Sequence, residues 1–151
     1  MATKQRKRTY GELTEQDILG LVLDGHLLVD VDRAVVTTAK RPGHAMKTRP
    51  CHRGYRHLRI QHAGRRRSIA LHKLVWMAAN RQLVPEGHII HHGDKGKYAK
   101  GIDNLLLKDH CEHGWYHAWR ASAEHRKRFP TFDAFREWKK QQPVPDFYDE
   151  F

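Results

Sequence analysis

The chain has 151 residues, with 28 Lys or Arg against 17 Asp or Glu, so its formal net charge is +11 with neutral histidines. This length suits one compact unit, and recurring Trp, Phe, Tyr, Leu and Ile exclude a disordered composition. The basic balance makes a polyanion, first of all a nucleic acid, the expected partner. Two isolated cysteines, Cys51 and Cys111, the lack of an N-terminal apolar signal and the lack of any long apolar run predict a reducing, cytoplasmic location without a membrane span.

The first elements are predicted by local signals. Thr14 and Asp17 are spaced like a helix-capping pair, with Leu13 and Ile18 placed like a hydrophobic staple, so a short helix should begin there and end near Gly25. The β-branched stretch HLLVDVDRAVVTT (26–38) predicts two strands joined by a turn at its Asp-Arg pair. The segment 40–53 contains two prolines and is predicted to be a basic loop.

A hairpin is predicted next. GYRHLRIQ alternates, with Leu58 and Ile60 on one face, and leads through the turn 62–64 into RRRSIAL. The solvent side of this hairpin is mainly Arg and His, so it either lies against DNA or is merely a soluble face. The run 65–67 is expected to contact phosphates rather than bases, because such runs neutralise backbone charge without reading sequence.

The second half alternates helices with short strands. An amphipathic helix is predicted at 72–80, a strand at 87–91, a polar loop that ends at 103–107, and one helix from about 109 to 127. Thr131 should cap a last helix whose Phe132, Phe135 and Trp138 form a packing stripe. The opening KQRKR is interpreted as a solvated tail, and the acidic end PVPDFYDEF (143–151) should point away from a basic body.

The thirteen histidines are the compositional outlier, and those between 88 and 117 are where chemistry is expected. Hydrolysis of a phosphodiester needs an activated water and a cation to stabilise charge, which a histidine base and one divalent metal ion together supply. HIIHH ends a strand, DNL follows the loop, and HCEHGWYH runs onto a helix, where His110, His113 and His117 share one face.

The segments LHKLVW, PEGHIIHHGDKG and GIDNLLLKDHCEHGWYH resemble the HNH endonucleases, also called His-Me finger or ββα-metal nucleases, of the phage and intron homing type. The resemblance covers roughly residues 26–117 and includes the spacings from His92 to Asn104 and from Asn104 to His113. It implies an α+β protein with a ββα-metal core, an N-terminal β-rich segment and flanking helices. The expected division is 1–71 for the DNA-contacting segment, 72–128 for the nuclease core and 129–151 for the C-terminal helix and tail, in one compact unit.

The resemblance also implies roles for single residues. His92 would be the general base, His91 and His113 metal ligands, and Asn104 the residue that holds the loop and orients the His92 ring. His117 would contact phosphate, support the site or pack. The residues expected to bind DNA are Arg53, Arg56, Arg59, Arg65, Arg66 and Arg67. His72 and His88 are assigned no chemical role, with His72 bracing its helix.

The family pattern differs at two of these positions, since many relatives have Asp where His91 stands and Asn where His113 stands. Mg²⁺ or Mn²⁺ is the expected metal, and a histidine-rich donor set also suits Ni²⁺ or Zn²⁺. The expected partner is double-stranded DNA, bound by a monomer or a homodimer, and the resemblance suggests a phage or mobile-element origin.

Two other functions compete with this interpretation. A zinc metalloprotease is suggested by His113 and His117 at i and i+4, but Gly114 stands where that motif requires Glu. A non-catalytic DNA-binding protein with a histidine-rich structural metal site is the second, although neither paired cysteines nor a Cys₂His₂ spacing is present. The sequence leaves this second alternative open.

Overall fold

A computed structural model describes residues 11–51 and 53–142, which form a mixed α+β structure. The expectations for the basic start and for the acidic tail lie outside the described residues. The strands are β1 (Gly11–Glu12), β2 (Leu27–Asp30), β3 (Val35–Thr38), β4 (Arg49–Pro50), β5 (Arg56–His62), β6 (Arg65–Ala70), β7 (His88–His92) and β8 (Leu105–Asp109). The helices are α1 (Glu15–Leu23), α2 (Leu71–Asn80), α3 (His110–Ala121), α4 (Ala123–Arg128) and α5 (Phe132–Lys140), with a 3₁₀ turn at Ile102–Asn104.

The described residues fall into two units, one made of 11–86 with 90–107 and the other of 87–89 with 108–142. The first contains a four-stranded sheet in the order β1-β6-β5-β4, whose centre is the predicted hairpin of β5 and β6. Leu58, Ile60 and Ile69 on one face of that hairpin are almost fully buried in the main core, together with residues of α1 and α2. Alternation along the strands sends the neighbouring Arg59 and Gln61 to the opposite, exposed face.

Local signals form α1 as predicted. The Thr14 side chain accepts a hydrogen bond from the Asp17 N–H at 3.1 Å, and the Asp17 carboxylate accepts one from the Thr14 N–H at 2.8 Å. Leu13 and Ile18 are both buried, as a staple requires. The helix ends before Gly25, whose φ of +79° is the left-handed conformation that glycine adopts without strain. The predicted pair β2 and β3 follows and forms an antiparallel hairpin.

Two predictions about secondary structure were wrong. The expected basic loop at 40–53 contains β4, in which Arg49 pairs with His57 and Pro50 with Arg56. Proline is tolerated there because β4 lies at the edge of the sheet, where a missing N–H costs no ladder hydrogen bond. The expected single helix from 109 to 127 is two helices, because Ser122 has an extended backbone and caps α4 by accepting from the His125 N–H at 3.2 Å.

The second unit is held together by aromatic side chains. Phe135 is 2% exposed and packs against Phe129, Trp138 and Phe132, with ring centroids 5.0 to 6.4 Å apart across this group. The Trp119 indole donates a hydrogen bond to the Phe129 carbonyl at 2.9 Å. The predicted role of the aromatic stripe of α5 in packing is confirmed. Within the described ranges, no helix has the length and apolar character needed to cross a membrane.

Candidate active site and DNA-binding face

The candidate base, His92, lies at the end of β7 and is buried, with 8% of its surface exposed. Its ring stacks on Tyr55, with centroids 5.6 Å apart and an interplanar angle of 16°, and meets His72 at 4.8 Å. Tyr55 and His72 also contact each other at 5.4 Å, so the three rings form a closed cluster. Two flat neighbours leave the His92 imidazole little freedom to rotate, and its ring plane is therefore defined by packing.

The environment favours the neutral form of the two histidines in this cluster. Burial lowers the pKa of His92, and the nearby positive charge of Lys100 lowers it further. Burial lowers the pKa of His72 to about 4, helped by the charges of His92, His57 and Lys73. A neutral imidazole keeps one ring nitrogen able to accept a proton. Within the described residues, the buried Nε2 of His92 has no hydrogen-bond partner, which is unusual for a buried polar atom and typical of a functional one.

Asn104 is 4% exposed and organises the loop that follows His92. Its amide nitrogen donates to the carbonyls of Gly96 and Ala99 at 2.9 and 2.8 Å, and its amide oxygen accepts from the Lys95 N–H at 3.1 Å. Among the described residues, the Asn104 side chain therefore hydrogen-bonds to the loop backbone and not to the His92 ring. Tyr55 and His72 are the groups that lie against that ring.

A close approach of two backbones fixes the start of the same loop. The Gly93 N–H donates to the Asn104 carbonyl at 2.7 Å, and a Cβ on Gly93 would lie 3.0 Å from the Asn104 amide oxygen. Gly93 is therefore needed for close packing. The hydrogen bond from the His110 N–H to the Gly87 carbonyl at 2.8 Å closes the other end of the two-stranded sheet of β7 and β8, which is antiparallel.

The expected metal ligands are found on two elements. His91 is half-buried in β7 and, as the neighbour of His92 in a strand, lies on the opposite face. His113 and His117 lie one turn apart on α3, with their Nε2 atoms 3.1 Å apart and their rings perpendicular. Burial lowers the pKa of His113, as do the charges of His117, Lys108 and His110, which favours the neutral form that a metal ligand needs.

The donor chemistry of α3 suits a divalent ion. Imidazole nitrogens lie about 2.0–2.1 Å from a bound ion such as zinc, so two ligands of one ion have nitrogens about 3 Å apart, as in the His113 and His117 pair. Over residues 11–51 and 53–142, no group of three or more His, Cys, Asp or Glu side chains is gathered into a metal-binding arrangement. His113 and His117 are therefore a pair of donors, fewer than such an arrangement contains.

The fold resembles that of an HNH homing endonuclease. A structure titled "DNA binding and cleavage by the HNH homing endonuclease I-HmuI" superposes with a TM-score of 0.55 and 19% sequence identity, over 69% of this chain. The chain spans 59% of the length of that protein chain. No protein-family model and no curated protein sequence matches. The likeness to the HNH endonuclease is therefore a likeness of fold.

The arginines expected to bind DNA are divided between two faces of the sheet. Arg65 forms an ion pair with Asp17 at 3.1 Å, and Arg67 forms ion pairs with Glu12 and Glu15 at 3.3 and 3.6 Å. These two arginines alternate with Arg66 along β6, so they extend toward α1 and β1. The Arg56 side chain donates to the Thr48 hydroxyl at 3.0 Å, and Arg53 is exposed just before β5.

The remaining two arginines lie on the open face. Register places Arg59 opposite Ser68 and Arg66 opposite Gln61, so all four share the outer surface of the hairpin. Arg59, Arg66 and Ser68 line an open pocket of about 480 Å³, which Glu12 and Arg67 also border. A neighbouring pocket of about 300 Å³ continues across the sheet to Lys47, Arg49 and His57. This continuous basic strip, defined by Lys47, Arg49, His57, Arg59, Gln61, Arg66 and Ser68, is called the open sheet face below.

Sequence reasoning missed Tyr55, His72 and Lys100 as neighbours of His92. His72 stands in the LHKLVW segment that carries the family resemblance, and Tyr55 lies within the span 26–117 that the resemblance covers, so a signal for their importance was present. Their convergence on one ring was not visible, because 17 to 37 residues separate them along the chain and no local pattern encodes such contacts.

Proposed function

We propose that this protein is a metal-dependent endonuclease that hydrolyses phosphodiester bonds in double-stranded DNA. The observation that carries the proposal is the placement of His92: a buried imidazole, held between Tyr55 and His72, with an Nε2 that has no partner among the described residues. A water bound at that nitrogen would satisfy it and would be placed to lose a proton. His92 then acts as the general base, and the water oxygen attacks phosphorus.

The other residues of the chain hold this base in place. Tyr55 and His72 fix its ring plane through packing, and a neutral His72 adds no positive charge beside a base that must accept a proton. Asn104 keeps the following loop in one conformation through its three backbone hydrogen bonds. In this assignment Asn104 is a positioning residue, which acts on the chemistry through the backbone that carries His92.

The proposed metal ligands are His91 and His113, and His117 is proposed to support them through its position beside His113. A divalent ion bound there supplies charge stabilisation for the phosphate oxygens and the 3′ leaving oxygen. Mg²⁺ or Mn²⁺ is the proposed cofactor. Imidazole donors also suit Ni²⁺ and Zn²⁺, whereas Mg²⁺ prefers oxygen donors, so Mn²⁺ should be more effective than Mg²⁺ at equal concentration.

DNA binding is assigned mainly to the open sheet face. Arg59 presents its charge on the outer surface of the hairpin, whereas Arg65 and Arg67 form ion pairs with carboxylates of α1 and β1. Contacts between such arginines and DNA phosphates neutralise the phosphate charge and make the affinity for DNA fall steeply with salt concentration. One such site per chain favours nicking of one strand by a monomer, and cutting of both strands requires a dimer or a second binding event.

A supercoiled-plasmid assay tests the proposal. Purified protein is incubated with Mg²⁺, Mn²⁺, Ni²⁺, Zn²⁺ or chelator, and wild type is compared with His92→Ala and with His88→Ala, an exposed histidine on the same strand. We expect metal-dependent nicking in wild type and His88→Ala and none in His92→Ala. If all three bind DNA and none cuts, the nuclease proposal fails and the non-catalytic DNA-binding alternative replaces it.

Metal binding is tested separately by calorimetric titration with Mn²⁺ or Ni²⁺ in the absence of DNA. We expect His113→Ala and His117→Ala to weaken binding by at least about tenfold, because structural support around a metal ligand typically contributes that much. His110→Ala is the matched control, since His110 is exposed on the same helix. Equal binding by the three variants and wild type would remove α3 from the metal site.

A further inference from the structure

The loop between β7 and the 3₁₀ turn presents an aromatic side chain to solvent. Tyr98 is 79% exposed, far more than the other large hydrophobic side chains that are exposed in the described ranges. Its ring is flanked by two cations, Lys97 Nζ at 5.5 Å and Lys100 Nζ at 5.9 Å from the centroid. An aromatic face with lysines beside it combines a surface that stacks on bases with charges that attract phosphates.

The exposure of Tyr98 is imposed by a rigid loop. Asn104 donates to the carbonyls of Gly96 and Ala99, which lie on either side of Tyr98 in the sequence, and the Ala99 N–H donates to the Gly96 carbonyl at 3.3 Å. The backbone is thus fastened before and after the tyrosine. The buried Asn104 side chain, through these hydrogen bonds, holds the Tyr98 ring in solvent. In that position the ring contributes no packing to the core.

The same loop adjoins the candidate base. Gly93, the residue after His92, donates its N–H to the Asn104 carbonyl, and the Asn104 side chain holds the loop on either side of Tyr98. A DNA strand whose phosphate is placed at His92 therefore passes along the loop that carries Lys97, Tyr98 and Lys100. The two lysines then meet phosphates, and the tyrosine ring meets whatever lies between them on the strand.

We propose that Tyr98 is a DNA-contacting residue whose ring stacks on a nucleobase next to the phosphate that is cleaved. This inference rests on the proposed nuclease function and specifies its substrate. Bases inside an intact duplex are covered by their neighbours, so stacking requires a base step that is kinked, unpaired or easily unstacked. The protein should therefore prefer DNA in which such a base stands near the scissile phosphate over a uniformly stacked duplex.

The test uses the full chain in chelator, so that binding is measured without cleavage. The probes are a fluorescein-labelled duplex of random sequence and the same duplex with one unpaired fluorescent purine. Wild type is compared with Tyr98→Ala and Tyr98→Phe. Leu28→Ala is the matched control, because Leu28 is an exposed apolar side chain, 43% exposed, on β2. Thermal unfolding of the two Tyr98 variants should be nearly unchanged, since 79% of the Tyr98 surface is exposed.

We expect wild type to bind the duplex with the unpaired purine more tightly and to quench its fluorescence. Tyr98→Ala should bind that probe on the order of tenfold more weakly and lose the quenching, whereas Tyr98→Phe and Leu28→Ala should behave as wild type. If wild type nicks plasmid and binds both probes, but Tyr98→Ala binds both probes as tightly and quenches the purine fluorescence as strongly as wild type, this inference alone is overturned. If wild type neither binds nor nicks DNA, the proposed function is overturned and this inference with it.

Discussion

The loop that Asn104 holds offers a sharp test of how this fold positions its base. Replacement of Asn104 by Asp keeps the side-chain volume and the oxygen that accepts from the Lys95 N–H, but removes both donors. The Ala99 carbonyl then loses its donor at 2.8 Å, and the Gly96 carbonyl loses its donor at 2.9 Å but keeps the Ala99 N–H. A carboxylate now faces both carbonyls at a site that is 4% exposed. The substitution therefore isolates hydrogen bonding and charge from packing.

The expected loss follows from the number of bonds removed. A hydrogen bond of this kind contributes about 0.5–1.5 kcal/mol, so the loss of two should cost about 1–3 kcal/mol of the free energy of unfolding. This is a large share of the stability of a domain of this size, which is typically about 5–15 kcal/mol. Local protection should fall too, with faster hydrogen exchange at the Ala99 amide, which donates to the Gly96 carbonyl.

Urea unfolding followed by tryptophan fluorescence measures the change, and Asp103→Asn is the control. Asp103 is the adjacent residue, is exposed and pairs with Lys95, so its loss should leave the unfolding midpoint nearly unchanged. Lowering the pH should reduce the Asn104→Asp defect, because a protonated carboxyl regains one donor. If Asn104→Asp unfolds within about 0.5 kcal/mol of wild type at neutral pH, the argument that these bonds hold the loop is refuted.

Three further predictions concern other parts of the molecule. Thr14→Ala should cost about 1 kcal/mol in urea unfolding, since it removes the capping box of α1, and an unchanged midpoint would contradict this. The pKa of His72 is about 4 in the folded protein against an ordinary 6.5, so the unfolded chain binds this proton more tightly. The stability that the neutral His72 ring contributes is therefore fully present above pH 6.5 and is lost as the pH falls toward 4. His72→Gln should remove up to about 3 kcal/mol of that pH dependence, and an unaltered pH profile of stability would exclude the assignment. Arg59→Ala should reduce the slope of log affinity against log salt by about 1, whereas Arg65→Ala, whose guanidinium is paired with Asp17, should change it much less; equal slopes would argue against the division of the two faces.

Short-range physics explains the elements that were predictable from sequence. The capping box of α1, its end before Gly25 and the hairpin of β5 and β6 depend on interactions within a few residues, so their residue patterns carry the information. The break at Ser122 was local as well, since serine is a common N-cap, but the uninterrupted helical pattern around it concealed the signal. The short strand β4 could not be predicted from local sequence, because it forms only by pairing with β5.

The spacing of His91, His92, Asn104 and His113, by itself, selected the family resemblance and the residues to examine. Only the tertiary structure decided that Tyr55 and His72 pack against His92. It also decided that the Asn104 side chain hydrogen-bonds to the loop backbone. It also showed that Arg65 and Arg67 face carboxylates. Alternation along the strand predicts that these two arginines lie on one side and Arg66 on the other, but which side meets carboxylates depends on where α1 packs. Burial and long-range contacts arise when segments distant in sequence share one core, and one-dimensional patterns do not record which segments those are.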